Sequence, residues 1–296
     1  MAFVPRSKRG TPAEVEHLAF REDIPDHLVT ALDDWIQEQL IVEDFDWMGQ
    51  RQPTFNGPYL RQIELELQVP LGSDNHMVDR LFYHLRANGD NYWDLVDYLL
   101  RSPLSVTSPR VGIYLSPHER AEALENVLSL GRSAWTVRPL GDTHCLERRV
   151  DGTAELAALT VIGAAETAGL HLSKAWHLAY GRIPKPSESY HESIKAVEVA
   201  AIPIVVPNDG FATLGKVLGE IRAHPQKCTV TTPASSTAMP DSQLIIAMMD
   251  ALWTGQAGRH GDPNLSIPAV QTCEEARIAV HLAVTLVQWF MTGAVR

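Results

Sequence analysis

The strongest constraint on this chain is the rhythm of its second half. From about residue 154 onward apolar residues recur at helical spacing, segment after segment, with glycine and proline gathered between the segments. Leu214, Val217, Leu218 and Ile221 fall at i, i+3, i+4 and i+7, and Leu244, Ile245, Met248 and Leu252 repeat the stripe. Ala154 to Tyr180 reads as one or two helices with Trp176, Ala179 and Tyr180 at core spacing. Ser189-x-x-Glu192 has the form of a capping box opening a helix with Tyr190, Ile194, Val197 and Ala201 inward, which Pro203 and Pro207 would end. Thr272-x-x-Glu275 opens a last, long helix to Phe290. Helices with one apolar stripe each bury it against one another, so residues 151–296 are expected to form an antiparallel helical bundle.

The first half, residues 1–150, is also mainly helical but mixed. Pro25 and Asp26 open a segment with Leu28, Leu32, Trp35, Ile36 and Leu40 on one face. Ser73 or Asp74 is placed to cap a helix carrying Met77, Leu81 and Leu85, and Tyr92 to Leu100 continues the pattern. Ser116-Pro117-His118-Glu119 combines a capping box with proline in the first turn. The pattern then changes: Ser133–Val137 and His144–Arg148 flank Pro139-Leu-Gly-Asp142, which predicts a β-hairpin over residues 133–148, the only clear one in the chain. A domain boundary is expected just beyond it, near Val150.

Composition narrows the chemistry. The net charge is −11, with 15 basic against 23 acidic residues in 1–150 and 10 against 13 in 151–296. An acidic surface repels phosphate backbones, which argues against sequence-blind nucleic-acid binding. No helix rich in Lys and Arg is present to read DNA by sequence. Arg6, Lys8 and Arg9 form the one basic cluster along the chain and are read as a solvated tail. No apolar run approaches the roughly 20 residues of a membrane span, and Met1 to Gly10 lacks the apolar core of a secretory signal. Cys145, Cys228 and Cys273 are scattered, neither a disulfide framework nor a metal-binding pattern, so a reducing cytoplasm is the expected compartment.

Phosphate-loop, dinucleotide, His-Glu-x-x-His and Gly-x-Ser-x-Gly motifs are all missing, so no cofactor and no metal is expected. Two places carry candidate chemistry. Arg259-His260-Gly261 stands in a glycine-bracketed break between helices, where an imidazole to move protons and a guanidinium to hold phosphate lie side by side, with Asp262 near to orient the ring. The alternative is Arg277 and His281, one turn apart on the last helix, with Thr285 and Gln288 continuing their stripe. His118, His171 and His177 are read as structural or surface residues.

The run His171-Leu-Ser-Lys-Ala-Trp-His-Leu-Ala-Tyr-Gly-Arg182, the segments Pro186–Tyr190 and Ile194–Glu198, Ala212-Thr-Leu-Gly215, Gln256-Ala-Gly-Arg-His-Gly261 and Glu275–Thr285 together resemble the C-terminal domain of bacterial abortive-infection (phage-defence) proteins. Arg6–Gly10 followed by Ile24–Leu28 is similar to the AbiJ-like N-terminal domain that often accompanies it. The resemblance implies a HEPN-like helical bundle over residues 154–296. Active HEPN domains are dimeric, metal-independent endoribonucleases whose signature is Arg, four to six residues, then His. His260 matches the His end. Trp253, Thr254 and Gly255 stand where the Arg would fall, Arg259 adjoins His260, and three residues separate Arg277 from His281. The resemblance therefore leaves two expectations: a ribonuclease with RNA as substrate, or an inactive HEPN-like module that dimerises and binds a partner. Either implies a homodimer through the bundle, for which Trp289 and Phe290 are the expected aromatic anchors.

Overall fold

A computed structural model describes residues 4–45, 48–102, 106–108, 113–227, 241–256 and 270–295. The protein is mainly helical and divides into two compact units, Met1–Arg149 and Val150–Arg296, each with its own hydrophobic core.

In the first unit α1 (Pro12–Leu18) and α2 (Asp26–Leu40) precede a strand pair, β1 (Ile41–Phe45) and β2 (Arg51–Phe55). Then come α3 (Gly57–Leu67), α4 (Met77–Ala87) and α5 (Gly89–Arg101), a second strand pair, β3 (Val106–Ser108) and β4 (Ile113–Leu115), α6 (Pro117–Leu130), and a last pair, β5 (Trp135–Leu140) and β6 (Thr143–Arg148). The core gathers the stripes of α2, α4, α5 and α6, with Leu32, Ile36, Leu81, Leu95, Leu99 and Leu124 fully enclosed. Buried polar groups tie the elements together. The Asp97 carboxylate accepts Leu146 N–H at 2.7 Å, joining α5 to β6. Glu125 of α6 accepts Val137 N–H at 2.8 Å and pairs with Arg149 at 2.9 Å, joining α6 to the hairpin.

The expected hairpin closes in register Trp135↔Arg148 to Leu140↔Thr143, and Gly141 takes φ 59° as the first of two turn residues, a position that favours glycine. It is not the only hairpin, contrary to expectation, because β1–β2 and β3–β4 are antiparallel pairs too. The β1–β2 segments carry Glu43, Asp44, Gln52 and Pro53, a set without apolar alternation and with a proline, so pattern alone does not reveal them. The α4 cap differs as well: the helix starts at Met77 after His76, and Asp74 instead accepts His76 N–H at 2.9 Å.

The second unit is all helix among its described residues: α7 (Gly152–Ala164), α8 (Glu166–Tyr180), α9 (Pro186–Val205), α10 (Leu214–Ala223), a short 3-10 turn at Pro225–Lys227, α11 (Asp241–Gly255) and α12 (Cys273–Met291). Helices α8, α9 and α12 form the centre. Small residues on their meeting faces, Ala168, Ala175, Ala179, Ala196, Ala201, Ala279 and Ala283, are all buried and let the backbones come close. Gly169 is required where α8 leaves α7, because a Cβ there would run into the carbonyl oxygen of Ile162.

Two details differ from the sequence expectation. Pro203 sits inside α9, which continues to Val205, so the lost N–H weakens only the final turn. The Ser189–Glu192 pattern is no capping box: α9 begins at Pro186, three residues earlier. Ser189 instead donates to Ala175 C=O of α8 at 2.7 Å. Phe290, expected at an interface, is 3% exposed in the core, and Trp289 packs half-buried against it.

Candidate functional site

Helix α12 starts from a formed capping box, in which Glu275 N–H donates to Thr272 Oγ1 at 3.2 Å and Thr272 N–H donates to the Glu275 carboxylate at 2.7 Å. This fixes the helical phase. Ala276, Ala279, Val280 and Ala283 then face the core, which turns Arg277, Ile278, His281, Leu282 and Thr285 toward a shallow cavity of about 380 Å³ completed by Met248 of α11. Arg277 and His281 share that face, as their spacing predicts.

Helix α8 supplies the rest. The Tyr180 hydroxyl lies 2.9 Å from His281 Nε2, and the Trp176 ring meets the imidazole edge-on at 5.4 Å. The Arg277 guanidinium lies over the Tyr180 ring, 5.3 Å from its centroid. Burial pushes the His281 pKa below the ordinary imidazole value, so the ring is neutral at neutral pH and able to take up a proton. Burial also raises the Tyr180 pKa, partly opposed by the charge of Arg277, and keeps the phenol protonated. With Tyr180 donating to Nε2, the ring proton sits on Nδ1; with the opposite tautomer, Nε2–H donates to the phenol oxygen.

The third feature is an absence of partners. Among the described residues Arg277 makes no ion pair, and its Nε is buried without a hydrogen-bond partner. The buried Nε is closed to solvent, so it is the Nη groups, without an ion pair among the described residues, that are left to meet an anion from outside.

A second polar group lies on the same helices. The Glu192 carboxylate of α9 is 6% exposed and receives His171 Nδ1 at 2.6 Å, Lys174 Nζ at 3.0 Å and Lys195 Nζ at 3.1 Å. Burial alone would push this carboxyl up, but the three donors outweigh it and hold the pKa down to about 2. His171 is thus structural, as its sequence context suggests, and Glu192 is its unforeseen partner.

The four candidate residues fare unequally. Arg277 and His281 come together with Tyr180, whereas Arg259 and His260 lie outside the described residues, as does Cys228. Tyr180 was legible only as a core position; its hydroxyl meets an imidazole 101 residues away, which no local pattern encodes.

The fold and site define a mainly helical, two-unit protein with a histidine and an arginine, the latter without an ion pair among the described residues, on one helix face. No family model, curated protein or solved structure matches this chain. No helix among the described residues is long and apolar enough to cross a membrane.

Proposed function

We propose that the chain is a phage-defence protein of the abortive-infection type, and that its second unit is a HEPN-like, metal-independent endoribonuclease domain working as a homodimer in the cytoplasm. The observation that carries this reading is the placement of the Arg277 guanidinium, without an ion pair among the described residues, and the His281 imidazole on one face of α12 beside one cavity. In this reading Arg277 holds the scissile phosphate of RNA. His281 takes the proton from the ribose 2′-hydroxyl, the 2′-oxygen bonds to phosphorus, and the bond to the 5′-oxygen breaks. The proton passes to that leaving oxygen, giving a 2′,3′-cyclic phosphate and a 5′-hydroxyl end. Tyr180 positions the ring: with Nε2–H donating to the phenol oxygen, Nδ1 keeps the free lone pair that takes the proton. Arg259 and His260 are the competing pair for the same roles.

The test is purified protein against mixed cellular RNA in EDTA, beside His281→Ala and His260→Ala. Cleavage that survives EDTA and His260→Ala but is lost in His281→Ala supports the α12 face. Loss in His260→Ala alone moves the chemistry to residues 259–260, and loss in EDTA overturns the metal-free route.

The inactive, dimerising module is the second reading, and one observation favours it. Ile278, on the cavity rim, is 62% exposed next to Met248 and Leu282, an apolar edge suited to a protein partner. Wild-type protein without cleavage, whose dimer is broken by Ile278→Asp, selects this reading over the first.

A further inference from the structure

The first unit holds a basic pocket of about 540 Å³ lined by Lys8, His17, Arg21, His27 and Arg132, with Glu16 as the one acidic group. This runs against the composition, since residues 1–150 carry 15 basic and 23 acidic side chains. Lys8, read from sequence as part of a solvated tail, is half-buried here, its Nζ 3.3 Å from His17 Nδ1. The wall is built by backbone pairing: Arg21 N–H donates to Arg132 C=O at 2.8 Å, and Ala134 N–H donates to Arg21 C=O at 2.7 Å. The pairing joins the backbones of Arg21 and Arg132, and both side chains line the pocket. Among the described residues neither Arg21 nor Arg132 has an ion pair, although Arg132 lies over the Phe20 ring at 5.7 Å.

Arg132 carries a further mark. It follows the end of α6 with φ 58°, in the left-handed region where glycine is the ordinary occupant after a helix. A strained arginine at a glycine position, aimed into a pocket of like charges, works against stability on both counts. Such strain gathers at ligand sites.

We infer that this pocket binds a compact phosphorylated small molecule of the nucleoside-diphosphate size class. The volume lies within the range of small-ligand pockets, about 300–1,000 Å³, and exceeds what a lone phosphate needs. Planar guanidinium forks match phosphate oxygens in pairs. Leu130 and Ala13 give the pocket an apolar side for the rest of the ligand. Glu14, Glu22, Asp23 and Asp26 flank the same segments and repel an extended polyanion, so the ligand is a small molecule and not an RNA strand. This inference is independent of the nuclease reading and concerns the other unit.

The experiment is calorimetric titration of the full chain with ADP, pyrophosphate, adenosine and a 12-nucleotide single-stranded RNA. ADP and pyrophosphate are expected to bind and to compete, more weakly as salt rises, while adenosine does not bind and the RNA does not displace ADP. Arg21→Ala and Arg132→Gly should each weaken ADP by about tenfold or more. Arg132→Gly separates lost binding from lost folding, because glycine suits φ 58° and the variant should melt no lower than the wild type. The inference is overturned if neither ADP nor pyrophosphate binds at millimolar concentration. It is overturned equally if adenosine binds as well as ADP, if the RNA displaces ADP, or if both variants bind ADP unchanged.

Discussion

Two polar groups occupy the helices at the centre of the second unit, and they are built on opposite terms. Glu192 is enclosed and receives three donors, so its charge is fully answered within the fold. Among the described residues Arg277 is half-buried with no answering charge and an orphaned Nε, and the His281 ring has a single hydrogen bond, to a neutral phenol. A group whose partners are complete contributes to stability and has nothing left to offer a ligand. One whose partners are missing contributes little to stability and keeps its hydrogen-bonding capacity for something else. The contrast assigns the two neighbouring groups to different work.

Substitutions break the comparison in order of size. The largest effect should be in catalysis: His281→Ala should lower RNA cleavage by roughly 100- to 10,000-fold, as loss of a general acid–base does. A time course on a defined RNA measures it. Tyr180→Phe should retain more activity and shift the pH profile of cleavage, because the imidazole keeps its surroundings but loses the hydrogen bond at Nε2.

Next comes folding. Glu192→Ala should destabilise the second unit by about 2–3 kcal/mol in denaturant melts, because it removes the carboxylate that gathers the donors of His171, Lys174 and Lys195. The figure is below the usual 3–5 kcal/mol for a broken buried pair since Lys174 and Lys195 stay partly in water.

Acid sharpens the same distinction. The pKa of His281 is lowered in the fold, so the unfolded chain takes up its proton first. Stability should therefore begin to fall as pH drops through the ordinary imidazole range, about 6.5. The Glu192 pKa is lowered from 4.5 to about 2, so its contribution is present above 4.5 and is lost between those values. Melts in His281→Ala should show a smaller first step, since His144, likewise lowered by burial, contributes to it, and keep the second. The smallest effect belongs to the first unit, where Arg132→Gly should raise stability by about 1 kcal/mol through relief of the left-handed backbone.

Much of the fold is legible because its signals are local. Ser116 with Glu119 and Thr272 with Glu275 are capping boxes read correctly from four residues each, and Gly141 marks its hairpin turn. Ser189 with Glu192 shows the limit of the same rule. An identical spacing inside a helix places serine and glutamate toward α8, and only the packing of α8 on α9 decides between cap and core. The candidate site divides in the same way. The shared face of Arg277 and His281 follows from helical period, whereas Tyr180, and in the other unit the meeting of Arg21 with Arg132, come from contacts across more than a hundred residues.

Whether unanswered polar groups mark the working face is decided by Arg277→Ala, measured in parallel for thermal stability and for RNA cleavage. Among the described residues Arg277 has no ion pair to lose, only its place over the Tyr180 ring, and an orphaned Nε to be rid of. Stability should change by no more than about 1 kcal/mol, the usual worth of such a ring contact, with cleavage reduced at least about 100-fold. A variant that is destabilised by several kcal/mol while cleaving RNA at the wild-type rate would contradict that assignment.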